Sequence, residues 1–141
     1  MDGPSDVAVP ADSFETFLAR RREVGAAYVN GDATPLDGIV TTSDPATFLS
    51  PMGDVVEGAA AVADRYRRDA GSFSPGGTSR FEVLQSASSG DVAWWTGYQV
   101  AEAILGDATE PTPMRLRLTE GFRFEDGEWK LVHRHADRPE A

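Results

Sequence analysis

Three polar side chains stand where an alternating pattern asks for apolar ones: Glu120, His133 and His135. They lie in two runs, Met114 to Glu125 and Trp129 to Asp137, joined by Asp126-Gly127. An Asp-Gly pair between alternating runs marks a tight hairpin whose turn sets the register. Counted outward from the turn, Glu125 faces Glu128, Phe124 faces Trp129, Phe122 faces Leu131, Glu120 faces His133 and Leu118 faces His135. Period-two alternation puts all but the first pair on one, mostly apolar face. Directly opposed residues have Cβ atoms about 4.5–5.5 Å apart, so Glu120 and His133 are within hydrogen-bonding reach. Such a carboxylate raises the imidazole's pKa, lowers its own, and can orient the ring as a general base. The same pair can equally be structural, tying the hairpin together. With His135 it could also ligate a metal, but two histidines two apart on a strand are a weak signal, and neither metal nor cofactor is expected.

The strand before the hairpin supplies further lining. Between Asp91 and Leu105 the even positions Trp94, Thr96 and Tyr98 suit the inner face, Trp94 as a wall and Thr96 and Tyr98 as polar handles. Phe122 and Leu118 add apolar lining from the hairpin, and Tyr66 adds a phenol from a helix above it. This set could manage proton abstraction beside a carbonyl. His133 would be the base, oriented by Glu120, and Tyr98 or Tyr66 would donate to the developing oxyanion. Trp95, on the opposite face beside small residues, marks an outer sheet surface expected to meet a second copy of the chain.

These groups need a scaffold, and the pattern supplies one. Met1 to Ala11 reads as a flexible segment. Asp12 or Ser13 caps a helix carrying Phe14, Phe17, Leu18, Val24, Ala27 and Tyr28 near helical spacing, and Asn30-Gly31-Asp32 ends it. Pro35 to Ile39 makes a helical turn. Two short strands follow, Ala46 to Ser50 and Asp54 to Glu57, then a helix from about Gly58 to Asp69 and a loop from Gly71 to Gly77. Strands are expected over Ser79 to Ala87, Asp91 to Leu105, Met114 to Glu125 and Trp129 to Asp137. This order argues one α+β domain over residues 12–137, with a short tail at 138–141. Its curved, mostly antiparallel sheet wraps around N-terminal helices and leaves an inner pocket.

Composition narrows the partners. The 141 residues hold 13 Lys and Arg against 23 Asp and Glu, a net charge of −10 that repels phosphate backbones, so nucleic acid is not expected. No apolar run reaches the roughly 18 residues of a membrane span. Without cysteine there are no disulfides or thiolate metal sites. The N-terminus lacks the basic start and apolar stretch of a secretory signal, so a cytoplasmic location is expected.

Several stretches carry a resemblance. Asn30-Gly31-Asp32 with Leu36 and Ile39, then Ser50-Pro51-Met52-Gly53 and Glu57-Gly58, resemble landmarks of the SnoaL-like, nuclear-transport-factor-2-like superfamily. The run from Arg117 to His135 is similar to the closing hairpin of its branch that includes the calcium/calmodulin-dependent kinase association domains. The resemblance implies a cone-shaped α+β barrel, a pocket between helices and concave sheet, and a homodimer formed through the outer sheet face. Members include ketosteroid isomerases, polyketide cyclases, dehydratases, epoxide hydrolases and non-catalytic association modules. The isomerases' aspartate base, before the Pro-x-Gly turn, is Ser50 here, and their oxyanion-hole tyrosine falls at Val24, so that mechanism is not expected. Glu120 resembles the family's second pocket acid and Tyr66 a supporting helix tyrosine. His133 and His135 fall where isomerases have apolar lining. The reading is a pocket for a small, partly apolar organic molecule, with acid-base chemistry of the isomerase, cyclase or dehydratase kind. The alternative is a non-catalytic, homodimeric binding or association module.

Overall fold

The computed structural model describes residues 9–10 and 13–139; the expected N-terminal segment, apart from Val9 and Pro10, and the candidate cap Asp12 lie outside them. Helix α1 spans Ser13–Tyr28 and buries Phe14, Phe17, Leu18, Arg21, Val24 and Gly25, a stripe at three- and four-residue steps. It ends at Asn30-Gly31. Gly31 has φ +92°, and a Cβ there would lie 2.6 Å from the Phe73 carbonyl oxygen. The Asn30 carboxamide donates to the Ala26 and Gly77 carbonyls and accepts from the Gly76 and Gly77 amides, fastening the helix end to the sheet.

After a short helix α2 (Thr34–Asp37) come β1 (Thr47–Leu49), β2 (Val55–Glu57) and helix α3 (Ala59–Ala70). The Asp44 carboxylate caps α3 by accepting from the Ala59 amide at 2.7 Å. Four longer strands follow: β3 (Phe73–Ser89), β4 (Val92–Leu105), β5 (Thr112–Glu125) and β6 (Glu128–Asp137). The expected loop from Gly71 to Gly77 is shorter than the sequence suggests. Strand β3 starts at Phe73 and absorbs the glycines as a register irregularity between Ser74 and Thr78.

The α+β expectation holds. Among the described residues one six-stranded sheet runs in the order β2-β1-β6-β5-β4-β3, antiparallel except where β1 runs parallel to β6. It does not close into a barrel; β2 and β3 are its two edges. Both long helices cover the same face. Phe14 and Phe17 of α1 meet Phe122 of β5 with ring centroids 5.4 and 5.2 Å apart, and Tyr66 of α3 meets Phe48 of β1 at 4.9 Å.

Two expectations about faces fail, each for a traceable reason. The Asp126-Gly127 turn forms with φ of +52° and +81°, and Phe124–Trp129 and Phe122–Leu131 pair as expected. Beyond them β6 bulges: Gly121 pairs His133 while Phe122 pairs Leu131, leaving Val132 as the extra residue. A bulge shifts register by one and exchanges the faces of everything beyond it. Glu120 therefore opposes Arg134, not His133, and Leu118 opposes Ala136, not His135.

On β4 the odd positions face inward. Trp95 pairs Glu120 and is fully buried, whereas Trp94 is 38% exposed. The inward set Ala93, Trp95, Gly97, Gln99, Ala101 and Ala103 is small apart from Trp95 and Gln99. Gly97 is required there because a Cβ would lie 2.0 Å from the Glu82 carbonyl oxygen, next to a second bulge on β3. Trp94, Thr96 and Tyr98 thus decorate the outer face.

Candidate functional site

Glu120 is the centre of the inner face and has no exposed surface. Arg21 reaches it from α1 through two hydrogen bonds, Nε to Oε1 at 3.0 Å and Nη2 to Oε2 at 2.8 Å. Arg134 donates from β6 to Oε2 at 2.6 Å, and the Trp95 indole donates to Oε1 at 3.0 Å. Four donors occupy the four acceptor positions of a carboxylate. Burial alone would raise the Glu120 pKa, but the two guanidiniums outweigh it and hold it down at about 2. A saturated, permanently ionised carboxylate is a poor proton acceptor; its function is to fix two arginines.

Behind this clamp the network continues. Arg134 Nη2 donates to the Gln99 carboxamide oxygen at 2.8 Å, and Gln99 Nε2 donates to Ser79 Oγ at 3.0 Å. The Arg21 guanidinium lies over the Phe81 ring, 5.0 Å from its centroid. Ionic attraction to Glu120 holds Arg134 firmly protonated, against the opposing pull of burial.

Next to the clamp lies a cavity of about 630 Å³ between helices and sheet, within the ordinary range for small-molecule sites. Leu36, Phe48, Leu116 and Leu131 give it apolar walls, while Arg21, Tyr66, Gln99 and Arg134 line its buried end. At its exposed mouth, around Met52, Arg65 of α3 bridges Asp54 at 2.6 Å and Asp69 at 2.9 Å. Ser50, in the place of the isomerases' base, donates to Asp54. The Asp54 carboxyl is held below the usual range by these hydrogen bonds, chiefly that from Arg65.

Of the residues singled out from sequence, Tyr66 lines the cavity. Glu120 stands just behind it, and Leu118 and Phe122 point inward into the packed core. His133 and His135 are on the outer face. His133 Nδ1 pairs with Thr47 Oγ1 at 2.7 Å, and partial burial with the neighbouring His135 lowers its pKa, opposite to the rise expected beside a carboxylate partner. The three side chains proposed as a dyad or metal set lie on two sides of the sheet. Among the described residues no cluster of three His, Cys, Asp or Glu is placed to hold a metal ion. Tyr98 is outside too, beneath the Arg115 guanidinium at 4.0 Å, and Thr96 bonds Thr119 at 2.8 Å.

Sequence reasoning missed Arg21, Gln99 and Arg134. Arg21 was readable: it falls four residues after Phe17 and three before Val24, on the buried stripe of α1. Gln99 required the register of β4, and Arg134 required the bulge.

A model of a SnoaL-like domain matches residues 20–138 of the chain. Comparison with curated protein sequences gives no match. Among solved structures, a proposed dehydratase of the NTF2-like family from Streptomyces avermitilis is similar with a TM-score of 0.73 at 19% identity, over 92% of this chain and 97% of that one. The calcium/calmodulin-dependent kinase II hub of S. rosetta is similar with a TM-score of 0.65 at 22% identity, over 92% and 99%. An NTF2-like superfamily protein from Salmonella enterica gives 0.71 at 18% identity, over 92% of each chain. At these identities the likeness is one of fold. No helix among the described residues is long and apolar enough to cross a membrane.

The clamp makes acid stability a direct readout. Glu120 has a folded pKa of about 2 against 4.5 in a free chain, so its contribution is complete above about 4.5 and is lost as pH falls towards 2. Glu120→Gln leaves two buried guanidiniums short of their anion and is expected to cost about 3–5 kcal/mol at neutral pH. Urea denaturation across this pH range should find that loss, and a flatter acid limb than in the parent. A cost below about 1 kcal/mol would mean that the clamp does not form.

Proposed function

Because the chain belongs to the SnoaL-like domain family, whose fold serves enzymes and binding modules alike, we propose from the site itself that it is a ligand-binding pocket protein. It holds a small, partly apolar organic molecule between the helices and the inner sheet face. One observation carries this reading: a cavity of about 630 Å³ with apolar walls ends on polar side chains held in place by hydrogen bonds to Glu120 and to one another. Isomerase-, cyclase- or dehydratase-type chemistry is less well supported. The buried acid has four donors on it, and both histidines are on the other side of the sheet.

A second reading concerns assembly and rests on a separate observation. Leu84, Val92 and Trp94 are large apolar side chains exposed on the outer face of β3 and β4, at 68%, 51% and 38%. The likeness to kinase association domains and hubs, which are named for assembly, makes a second copy of the chain the natural cover for this face. Trp94, rather than the inward Trp95, is the anchor in this reading. Trp94→Lys should then convert a dimer into a monomer in light scattering after gel filtration, with unchanged circular dichroism. A parent chain that is already monomeric at micromolar concentration contradicts it.

The pocket reading is tested by mapping amide shifts while small aromatic and alicyclic acids, amides and ketones are added. Ligands should move Phe48, Tyr66, Ala101 and Leu131, which line the cavity. Ala101→Phe, which fills it, should abolish the shifts while the fold survives. Shifts confined to the outer groove around Thr96, Tyr98 and His135, or none from any compound, would refute the reading.

A further inference from the structure

The polar groups at the buried end of the cavity are not balanced. Arg21 spends Nε and Nη2 on Glu120, and its Nη1 is buried with no hydrogen-bond partner among the described residues. The Tyr66 hydroxyl is likewise buried and unpartnered, and burial raises its pKa further from neutrality, keeping its proton in place. Both side chains are over nine-tenths buried, and both line the same cavity. An unmet buried donor forfeits its solvation without a partner in return, so native proteins keep few of them.

Charge points the same way. Five arginines line the cavity, with Arg21 and Arg134 at the buried end and Arg68 and Arg138 near the mouth, against only Asp54 and Asp69. Counting Glu120 behind the clamp, the region keeps an excess of two positive charges, in a chain whose net charge is −10. Glu120 itself has no acceptor position left to offer a ligand donor. Two free donors and an excess of positive charge are complementary to an anion carrying at least two acceptor oxygens.

Resting on the pocket reading above, we infer that the ligand is an organic acid whose carboxylate sits at the buried end, accepting from Arg21 Nη1 and the Tyr66 hydroxyl. Arg134 supplies further positive charge there. The apolar body of the acid lies along Phe48, Leu36 and Leu116, and Arg68 and Arg138 draw the anion to the mouth. Glu120 is a positioning residue: it touches no ligand and holds both guanidiniums in place.

The test compares acids with primary amides of the same shape by calorimetry: hexanoate, phenylacetate and cinnamate against hexanamide, phenylacetamide and cinnamamide. A charge-assisted pair of hydrogen bonds should favour each acid by about tenfold or more. Tyr66→Phe keeps the ring and removes one orphan. The unliganded variant should be at least as stable as the parent, yet bind the acids about tenfold more weakly. If amides bind as tightly as acids, or Tyr66→Phe leaves acid affinity unchanged, the carboxylate assignment is overturned and the pocket reading survives. If neither acids nor amides bind, nor neutral ketones of similar size, both fall together.

Discussion

A carboxylate with no access to water must be neutralised by its neighbours or give up its charge, and Glu120 is in that position. Its partners come from three separate parts of the chain: Arg21 on the first helix, Trp95 on β4 and Arg134 on the last strand. The observed arrangement of helix and sheet brings these groups together. The clamp therefore specifies how α1 lies across the sheet, which face of β4 turns inward, and which residue of β6 must reach the core. Removing one partner leaves a buried charge unpaired, which is why such a group resists change even where it adds little net stability.

The irregular features of the sheet follow from the same constraint. Regular alternation from the Asp126-Gly127 turn would bring His133 opposite Glu120 and send Arg134 outward. The bulge at Val132 reverses this and delivers a guanidinium to the carboxylate. On β4, Trp95 pairs Glu120, so Gln99 and Ala101 also face inward. Gln99 extends the network, and the small side chain of Ala101 leaves space that becomes cavity. The cavity and the clamp are thus products of one register.

The outline of the fold was legible because its signals are local: the stripe on α1, the Asp-Gly turn, and the order of helices before a long meander. The candidate site was legible only as far as local rules reach. Glu120 reads from the pattern as a buried acid and Tyr66 as a helix phenol facing inward. The partner of Glu120 is not legible, because a bulge costs one residue of register and nothing in the identity of Val132 announces it. The faces of β4 are not legible either, because Trp94 and Trp95 are adjacent and equally apolar. Their assignment depends on pairing with β5 across the connector at 106–111, which alternation within β4 cannot supply. Arg21 lay in plain view on the apolar stripe of α1, but an arginine in an Arg-Arg-Arg run reads naturally as solvated surface.

The fold is shared by enzymes and by association modules, so the chemistry must be read from the cavity rather than from kinship. That cavity has fixed donors, excess positive charge and apolar walls, and the buried acid behind it, Glu120, is fully engaged. A crystal structure of the complex with phenylacetate tests this most directly. The carboxylate should lie within hydrogen-bonding distance of Arg21 Nη1 and the Tyr66 hydroxyl, with the ring against Phe48 and Glu120 still held by Arg21 and Arg134. Phenylacetate bound on the outer face near His135, or Glu120 turned towards His133, would contradict it.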